Sequence, residues 1–369
     1  MKITIAASHR FHLLDLAREL EQLGHDVSFY SYVPTKRCVS FGISKKACHW
    51  MWWILPTFLL DKFFKAYFPN IIRLSIIDYV MSLLIKKDTD VFIALSGGYL
   101  RAFEKAKKNG AIVIVERGSK HILEQKRILD AIPSLKGKKN VPEFNIKRDL
   151  AGYQIADYIA VASKHVKESF LLHGFPEDKL FVNPYGVDLT MFGANKEVEK
   201  RYDVIMVGGW SYRKGCDLIV EAIKELKLSL LHVGSLVDLD FPHDPLFTHI
   251  DAVDQKELVN YYNQAKIFVL PSREEGMAMV QMQAVSCNLP LVCSKDSGGE
   301  DLKQYFGGGK AIFVINQTNK AELKKEILNA LAFYNQYQGE DLFDFSGKEQ
   351  MSWKAYGKRY SDFIHKIVK

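Results

Sequence analysis

The chain has 369 residues, of which 48% are apolar, and a net charge of +7 at pH 7. This length exceeds what one compact hydrophobic core usually takes, so two domains are expected. The excess of basic residues lies in the first half, where residues 1–185 carry 28 Lys and Arg against 18 Asp and Glu, whereas the remainder carries 22 against 25. A basic first half suits an anionic partner, although a merely solvated basic surface explains it equally well.

Cysteine usage and apolar runs exclude several classes of protein. The five cysteines have no metal-site spacing, and their odd number argues against a disulfide framework, so a reducing cytoplasm is expected. The opening residues, MKITIAASHR, hold too short an apolar run for a signal peptide, and residues 50–60 are too few to span a bilayer. The basic residues form no recognised nucleic-acid-reading module, so no nucleic-acid partner is expected.

The first elements in the chain indicate a doubly wound α/β sheet. Residues 2–7 read as a strand, the leucines of residues 13–23 recur at helical spacing up to Gly24, and residues 27–30 read as the second strand. Strand, helix and strand of this length are typical of a parallel sheet. The first loop lacks the glycine-rich dinucleotide fingerprint, which makes a hydride-transfer enzyme a poor candidate.

Residues 36–75 mix basic and aromatic side chains and leave two interpretations open. The stretch contains Trp50, Trp52, Trp53 and several phenylalanines together with lysines and arginines. Such a mixture suits a membrane interface, with rings at headgroup depth and lysines against anionic lipid. It equally suits amphipathic helices whose aromatic rings pack inward.

Two loops of the first half are expected to face a ligand crevice. Strands at residues 91–95 and 112–115 are followed by the small residues 96–98 and by the polar residues 116–121. Open α/β sheets bind ligands beyond the carboxyl ends of their strands. Residues 136–147 read as a basic loop, and Ser163 is predicted to cap the helix that follows a strand at residues 156–162.

A turn-rich stretch at residues 183–189 predicts the domain boundary. The first domain is predicted to span residues 1–183 and the second residues 184–349. The last segment, residues 350–369, reads as an amphipathic helix with Trp353, Tyr356 and Tyr360 on its apolar face.

The second domain restarts the strand and helix pattern, with a basic turn before its first helix. A strand at residues 204–207 leads to Gly208 and Gly209, then to Arg213, Lys214 and Gly215, and a helix over residues 216–226 follows. Helix starts favour anions, so cations placed there indicate a bound anion such as a diphosphate.

The stretch of residues 271–301 has the layout of a ligand site. A buried strand is followed by Glu274, Glu275 and Gly276, and a helix is predicted to start near Met277. Free backbone N–H groups at such a start favour a phosphate. Glu275 and Gln283 lie eight positions apart, about 12 Å along a helix axis, so a sugar nucleotide lying along the helix could meet both.

Glu275, Gly276, Cys287 and Pro290 resemble the signature of family 4 of the retaining glycosyltransferases, the glycosyl transferases of group 1. The resemblance implies an α/β architecture of the GT-B type, two Rossmann-like doubly wound domains facing a central cleft. The chain departs from the family pattern at Gln283, where a second Glu is usual, and at Asn288, where Gly is usual. An amide at position 283 could still bind a ribose, with altered geometry.

The resemblance also implies the site residues. Lys214 and Gly215 match the family pair that holds the donor diphosphate, whereas Gly209 stands where the family has Arg, so Arg213 is expected to replace that charge. The family histidine near the donor sugar is assigned first to His121, with His9 and His12 as alternatives. The expected catalytic residues are His121 and Glu275, and the expected donor-binding residues are Gly208, Gly209, Arg213, Lys214, Val253, Gly276, Met277, Ala278 and Gln283. In relatives the last helix crosses back onto the first domain, which implies the same for residues 350–369.

The implied function is metal-independent retaining transfer of a sugar from a nucleotide-diphosphate sugar to a glycan or lipid-linked acceptor, in surface polysaccharide or glycoconjugate synthesis. No cofactor is expected, and the Asp-x-Asp triplets at residues 88–90 and 238–240 are interpreted as chance. The location is expected to be cytoplasmic, with contact at the inner face of a membrane left open. The alternative is a catalytically degenerate GT-B protein that binds sugar nucleotides, which the changes at Gly209 and Gln283 motivate.

Overall fold

A computed structural model describes residues 1–8, 11–64 and 67–368. The first half forms one parallel sheet of seven strands. In spatial order these are β3 (Cys48–Trp50), β2 (Asp26–Ser31), β1 (Lys2–Ala6), β4 (Val91–Leu95), β5 (Ile112–Arg117), β6 (Tyr158–Val161) and β7 (Leu180–Val182). Strands 1, 4 and 5 are almost fully buried because helices cover both faces of the sheet.

Eight α-helices accompany this sheet in the described part of the first half. They are α1 (Phe11–Gln22), α2 (Thr35–Ser40), α3 (Leu60–Phe63), α4 (Phe68–Leu84), α5 (Leu100–Lys108), α6 (Ile122–Asp130), α7 (Glu143–Ile155) and α8 (Lys164–Leu172). Short 3₁₀ segments lie at Trp52–Leu59, Pro133–Leu135 and Glu177–Lys179. The predicted basic loop is therefore shorter than expected, since α7 already begins at Glu143 and buries Ile146 on the sheet side.

The second half forms a parallel sheet of six strands. In spatial order these are β10 (Phe247–Ile250), β9 (Leu230–Val233), β8 (Tyr202–Val207), β11 (Ala265–Leu270), β12 (Leu291–Ser294) and β13 (Ile312–Ile315). The helices are α9 (Cys216–Leu226), α10 (Gln255–Asn263), α11 (Met279–Ser286) and α12 (Lys320–Gln336), with 3₁₀ segments at Lys295–Ser297, Gly299–Tyr305 and Phe345–Met351. The stretch between the two sheets contains the predicted boundary at residues 183 and 184.

The last helix, α13 (Trp353–Ile367), lies against the first domain. A Cβ atom on Gly357 would lie 2.2 Å from Cβ of Glu19 in α1, so a glycine lets the two helices approach closely. The rings of Phe181 and Phe363 stack with centroids 4.0 Å apart. The helix begins three residues later than predicted because Ser352 caps it by accepting from the N–H of Ala355.

The aromatic side chains of residues 36–75 divide between the two interpretations, since Trp53 and Phe58 pack against the core whereas others are exposed. Phe63 is 78% exposed and Trp52 is 61% exposed, and residues 52–59 form a 3₁₀ segment that contains Pro56. Lys65, which belonged to the same basic and aromatic stretch, lies outside the described residues. In the part of the chain that is described, no helix combines the length and the apolarity needed to cross a membrane.

Candidate active site

The two sheets direct the carboxyl ends of their strands toward one another, and the loops after β5 and β11 touch. A Cβ atom on Gly276 would lie only 2.1 Å from the carbonyl oxygen of Gly118. No residue other than glycine fits there without a shift of one backbone against the other. The signature loop of the second domain therefore lies directly against the first domain.

Three charged side chains of the second domain meet at this contact. The ammonium group of Lys214 hydrogen-bonds a carboxylate oxygen of Glu275, and Nη1 of Arg213 lies 3.3 Å from the same oxygen. Burial by itself would raise the pKa of the Glu275 carboxyl, but the charges of Lys214 and Arg213 hold that pKa below its ordinary value. The contact therefore holds two cations, both of which have the Glu275 carboxylate as a partner.

The helix start beside this cluster leaves backbone donors available. The N–H of Glu275 donates to the backbone carbonyl of Asp296 at 3.1 Å. The N–H of Ala278 donates to the backbone carbonyl of Ser297 at 3.3 Å. Over the described residues, no acceptor is found for the N–H groups of Gly276 and Met277. The helix itself begins at Met279 rather than near Met277, because Ala278 is still in extended conformation. The free donors precede the first helical turn, where an anion is favoured.

Glu274 is a functional-site residue that sequence reasoning missed. Its side chain is fully buried, and its carboxylate accepts from the Ser119 hydroxyl, from the N–H of Lys120 at 3.2 Å and from the Gln125 amide at 3.1 Å. Nη1 of Arg213 lies 3.6 Å from the same carboxylate. The available signal was the pair of adjacent acids, of which only Glu275 belonged to the recognised pattern. Glu274 joins the two domains through hydrogen bonds.

Three further first-domain side chains bind the second domain at the same contact. The hydroxyl of Ser163 donates to the carbonyl of Gly276 at 2.9 Å, and Nε2 of His165 lies 2.8 Å from the carbonyl oxygen of Glu275. The ammonium group of Lys120 lies 2.8 Å from Asp296. Ser163 is the N-cap residue of α8, as predicted, but its side chain makes no capping bond because its hydroxyl donates to the Gly276 carbonyl instead.

His121 is placed at the start of α6, with its ring turned into the first domain. The ring is 5% exposed, stacks on His173 at 4.2 Å and meets Phe170 edge-on. Burial, followed by the neighbouring His173 and Arg117, lowers the pKa of His121 to about 4. The ring contacts found for His121 are with first-domain residues, so the structure does not bring His121 and Glu275 into contact.

The alternative histidines have different positions. Nε2 of His12 lies 3.1 Å from Glu116, and its ring stacks on Tyr185 at 4.3 Å. His9 lies outside the described residues. The role of a first-domain histidine at the donor sugar remains a prediction.

The predicted donor-binding residues are spread along the edge of the second sheet. Gly208 has φ of +125°, and its carbonyl accepts from Nε2 of His232 at 2.8 Å. A Cβ atom on Gly209 would lie 2.9 Å from Val237, so this position is too crowded for an arginine without movement. Val253 is half-buried in the loop between β10 and α10.

Gln283 and the two buried residues before α11 complete the predicted set. The side chain of Gln283 is 6% exposed, and its carbonyl oxygen accepts from the Tyr262 hydroxyl at 3.0 Å. Met277 and Ala278 are buried beside the contact between the domains. The amide of Gln283 thus has an intramolecular partner, and its contact with a ribose stays a prediction.

Three residues of the Asp-x-Asp triplets have partners within the protein. Asp88 pairs with the Lys2 side chain, Asp90 accepts from the Lys2 N–H at 2.7 Å, and Asp238 accepts from the N–H of Tyr212 at 3.0 Å. Across the described ranges, no group of three or more His, Cys, Asp or Glu side chains is arranged to hold a metal ion. Metal independence itself stays a prediction.

Comparison with known proteins identifies the second domain. The family model described as Glycosyl transferases group 1 matches residues 201–332, which include the Arg213, Lys214 and Glu275 cluster. Residues 201–332 are thus similar to the group 1 glycosyl transferase domain. The matched part of the chain is the part in which the recognised signature lies.

The relatives and solved structures agree with this assignment. An uncharacterized glycosyltransferase of Methanocaldococcus jannaschii is 27% identical over 176 residues, covering 44% of this chain and 48% of that protein. A D-inositol 3-phosphate glycosyltransferase of Pseudarthrobacter chlorophenolicus is 24% identical over 182 residues, covering 41% of this chain and 43% of that protein. The alignments therefore span less than half of these relatives.

The fold likeness extends over the whole chain. The sucrose-phosphate synthase of Thermosynechococcus elongatus has a TM-score of 0.69 at 14% identity, covering 100% of this chain and 99% of that one. Anabaena HepE in complex with UDP-glucose has a TM-score of 0.64 at 11% identity, with both chains covered completely. The two Rossmann-like parallel sheets have the GT-B fold.

Proposed function

We propose that the protein is a retaining glycosyltransferase that moves a sugar from a nucleotide-diphosphate sugar to a hydroxyl of a glycan or lipid-linked acceptor, in surface polysaccharide or glycoconjugate synthesis. The observation that supports this most is the cluster of Arg213, Lys214 and Glu275 beside the N–H groups of residues 276 and 277, for which the described residues provide no acceptor. Cations and free N–H groups at one point favour a diphosphate.

The same cluster suggests how the donor binds. When a diphosphate enters, its oxygens replace the Glu275 carboxylate as the partner of Lys214 and Arg213. Glu275 is then free to accept hydrogen bonds from sugar hydroxyls, while the two cations and the N–H groups stabilise the charge that grows on the leaving diphosphate. HepE was crystallised with UDP-glucose, which supports a sugar nucleotide as the donor.

The chemistry follows from positioning. The bond between the anomeric carbon and the diphosphate oxygen breaks, an acceptor hydroxyl attacks on the face that the diphosphate leaves, and its proton passes to the departing phosphate. Contact between Gly118 and Gly276 closes the domains over the donor and excludes water, which limits hydrolysis. No metal ion and no cofactor take part in this proposal.

We place this activity in the cytoplasm at the inner face of a membrane. The partners proposed are the sugar nucleotide and a glycan or lipid-linked acceptor, with no nucleic acid. The basic first half and its exposed aromatic side chains support a peripheral membrane location.

The test is nucleotide binding by the Lys214→Ala variant. UDP, GDP and ADP are screened for a rise in melting temperature, and the diphosphate that stabilises wild type is expected to raise it by about 3–6 °C at a hundredfold excess over its Kd. Lys214→Ala should lose this shift. Lys224→Ala, an exposed lysine on α9, is the matched control and should keep it.

Transfer is then measured as release of the nucleoside diphosphate from sugar nucleotides in the presence of membrane lipid extracts. Release that needs both the extract and Lys214 supports the transferase. Binding without transfer to any acceptor would favour the degenerate sugar-nucleotide-binding protein, for which the internal partner of Gln283 is the supporting observation. Absence of any diphosphate-induced shift would contradict both functions.

A further inference from the structure

Exposed apolar side chains are concentrated in the described part of residues 50–84 of the first domain. Residues 50–84 are a small fraction of the chain. They nevertheless contribute half of the large hydrophobic side chains that are exposed in its described part. These side chains are Trp50, Trp52, Leu55, Leu59, Phe63, Phe64, Phe68, Tyr79, Leu83 and Leu84. We call this set the apolar face. Soluble surfaces rarely collect apolar side chains in this way unless they bind something.

The surroundings of the apolar face are positively charged. Residues 36–87 contain nine Lys and Arg against two Asp and no Glu. Both acids are already neutralised, since Asp61 pairs with Arg73 at 2.7 Å and the buried Asp78 pairs with Arg148 at 2.7 Å. Lys62, which lies between Leu59 and Phe63, is exposed and has no ion pair among the described residues. The segment therefore presents aromatic rings and uncompensated cations together.

This combination distinguishes a membrane from a protein partner. The central parts of protein interfaces are depleted in lysine, whereas interfacial membrane segments combine Trp, Phe and Leu with Lys. The aromatic rings enter the headgroup region and the lysines contact anionic lipid, so both features contribute to binding. A helix long enough to cross the bilayer is not needed for such contact.

Helix α4 connects the apolar face to a cavity of about 360 Å³ at the carboxyl ends of β1, β4 and β5. Tyr67 and, on α4, Asn70, Leu74 and Ile77 line this cavity, while Phe68, Tyr79 and Leu83 on the other side of the helix are exposed. Two buried polar atoms of lining residues, the hydroxyl of Tyr99 and Oδ1 of Asp149, have no hydrogen-bond partner among the described residues. One helix thus separates exposed apolar side chains from a cavity that is lined in part by polar groups.

We propose that the apolar face docks the first domain onto an anionic lipid bilayer and holds the α4 cavity beside the membrane surface, where the polar end of a lipid-linked acceptor enters it. Asp149 and Tyr99 provide hydrogen-bonding groups for acceptor hydroxyls. The acceptor part of this inference rests on the proposed function. The docking part does not, because lipid binding needs neither a donor nor transfer.

The test measures partition of the full-length protein onto vesicles. Wild type is floated with vesicles of phosphatidylcholine containing 30% phosphatidylglycerol, and with pure phosphatidylcholine. The double variant Trp52→Ser/Phe63→Ser changes two side chains that are mostly exposed, so its fold should persist. Removing two inserted rings should weaken the partition constant about tenfold or more. Lys62→Glu should weaken binding to the anionic vesicles and leave binding to pure phosphatidylcholine nearly unchanged.

The matched control is Leu172→Ser/Leu328→Ser, which removes two exposed leucines outside the apolar face and should bind vesicles as wild type does. Equal partition of wild type and Trp52→Ser/Phe63→Ser would overturn the proposal. So would a stable dimer by light scattering that the double variant abolishes without any vesicle binding, since a second copy would then cover the apolar face. Vesicle binding without transfer would retain the docking surface and reject the proposed enzyme.

Discussion

The two sides of the cleft are built in opposite ways. On the second domain, Arg213, Lys214 and Glu275 come from two short loops and contact one another directly. On the first domain, the α4 cavity is assembled from segments far apart in sequence, such as Phe11, Tyr67, Leu129 and Asn145. The cluster on the second domain lies within short motifs, whereas the cavity on the first domain is formed by the packing of many elements. The cluster is therefore recognisable from sequence and the cavity is not.

The largest effect is expected from a substitution that forces the two domains apart. Gly276→Ala would place a Cβ atom 2.1 Å from the carbonyl oxygen of Gly118, which forces the domains apart. We expect a fall of about 100-fold in kcat/KM, because small displacements of the reacting groups cost that much. Steady-state transfer kinetics and the radius of gyration from X-ray scattering check it.

The control is Gly193→Ala, since a Cβ atom there would meet nothing within 4 Å. It should retain wild-type kinetics. If Gly276→Ala also retained both wild-type kinetics and wild-type dimensions, closure through this contact would not be part of the reaction.

Glu274→Gln tests whether the buried carboxylate joins the two sides. A glutamine brings N–H donors to a site where Ser119, Lys120 and Gln125 already donate, and it removes the charge opposite Arg213. We expect the free energy of unfolding to fall by about 2–3 kcal/mol. Urea unfolding measures this, with the half-exposed Glu300→Gln as a control that should change little. If the free energy of unfolding fell equally in both variants, the hydrogen bonds of Glu274 between the domains would not stabilise the fold.

Two buried histidines make stability depend on pH. Burial is the main cause that lowers the pKa of His121 and of His232 to about 4 each, below the unfolded value of about 6.5, although the bond to the Gly208 carbonyl opposes it at His232. The unfolded chain therefore binds more protons below pH 6.5, so stability present above that pH is lost as pH falls toward 4. His121→Asn should reduce the loss by about 1–3 kcal/mol.

Urea unfolding at pH 7.5, 6 and 4.5 checks this dependence. His243→Asn is the control because His243 is exposed. The same pH dependence in wild type and His121→Asn would mean that His121 is not held neutral in the folded first domain.

The smallest effect is expected at Gln283. Tyr262→Phe removes the hydroxyl that donates to the Gln283 side chain, leaving a buried carbonyl oxygen without that donor, which costs about 1 kcal/mol. The Kd of the donor nucleotide should change less than threefold if Gln283 already faces the protein rather than a ribose. Calorimetric titration measures the Kd, and a tenfold weakening would instead support a ribose contact of this amide.

Local sequence determined a large part of this molecule. Alternating strand and helix patterns predicted both sheets, because the apolar periodicity of each element depends on its own residues. The basic turn at Arg213 and Lys214 and the loop at Glu275 and Gly276 were recognisable for a similar reason, since each lies within a few consecutive positions. Their assembly into one cluster agrees with the general rule that parallel strands present their carboxyl ends at one edge.

Tertiary structure decided what depends on distant partners. Ser163 is a residue type that commonly caps helices with its side chain. Its hydroxyl instead donates a hydrogen bond to the carbonyl of Gly276, 113 positions away. Glu274 is buried by Ser119 and Gln125 from the other domain, and the ring of His121 turns into its own domain, neither of which a loop sequence specifies. The aromatic side chains of residues 50–68 suit a core and a surface equally in composition. Whether these side chains are buried or exposed depends on whether other elements cover them. That is a property of the assembled fold rather than of the segment.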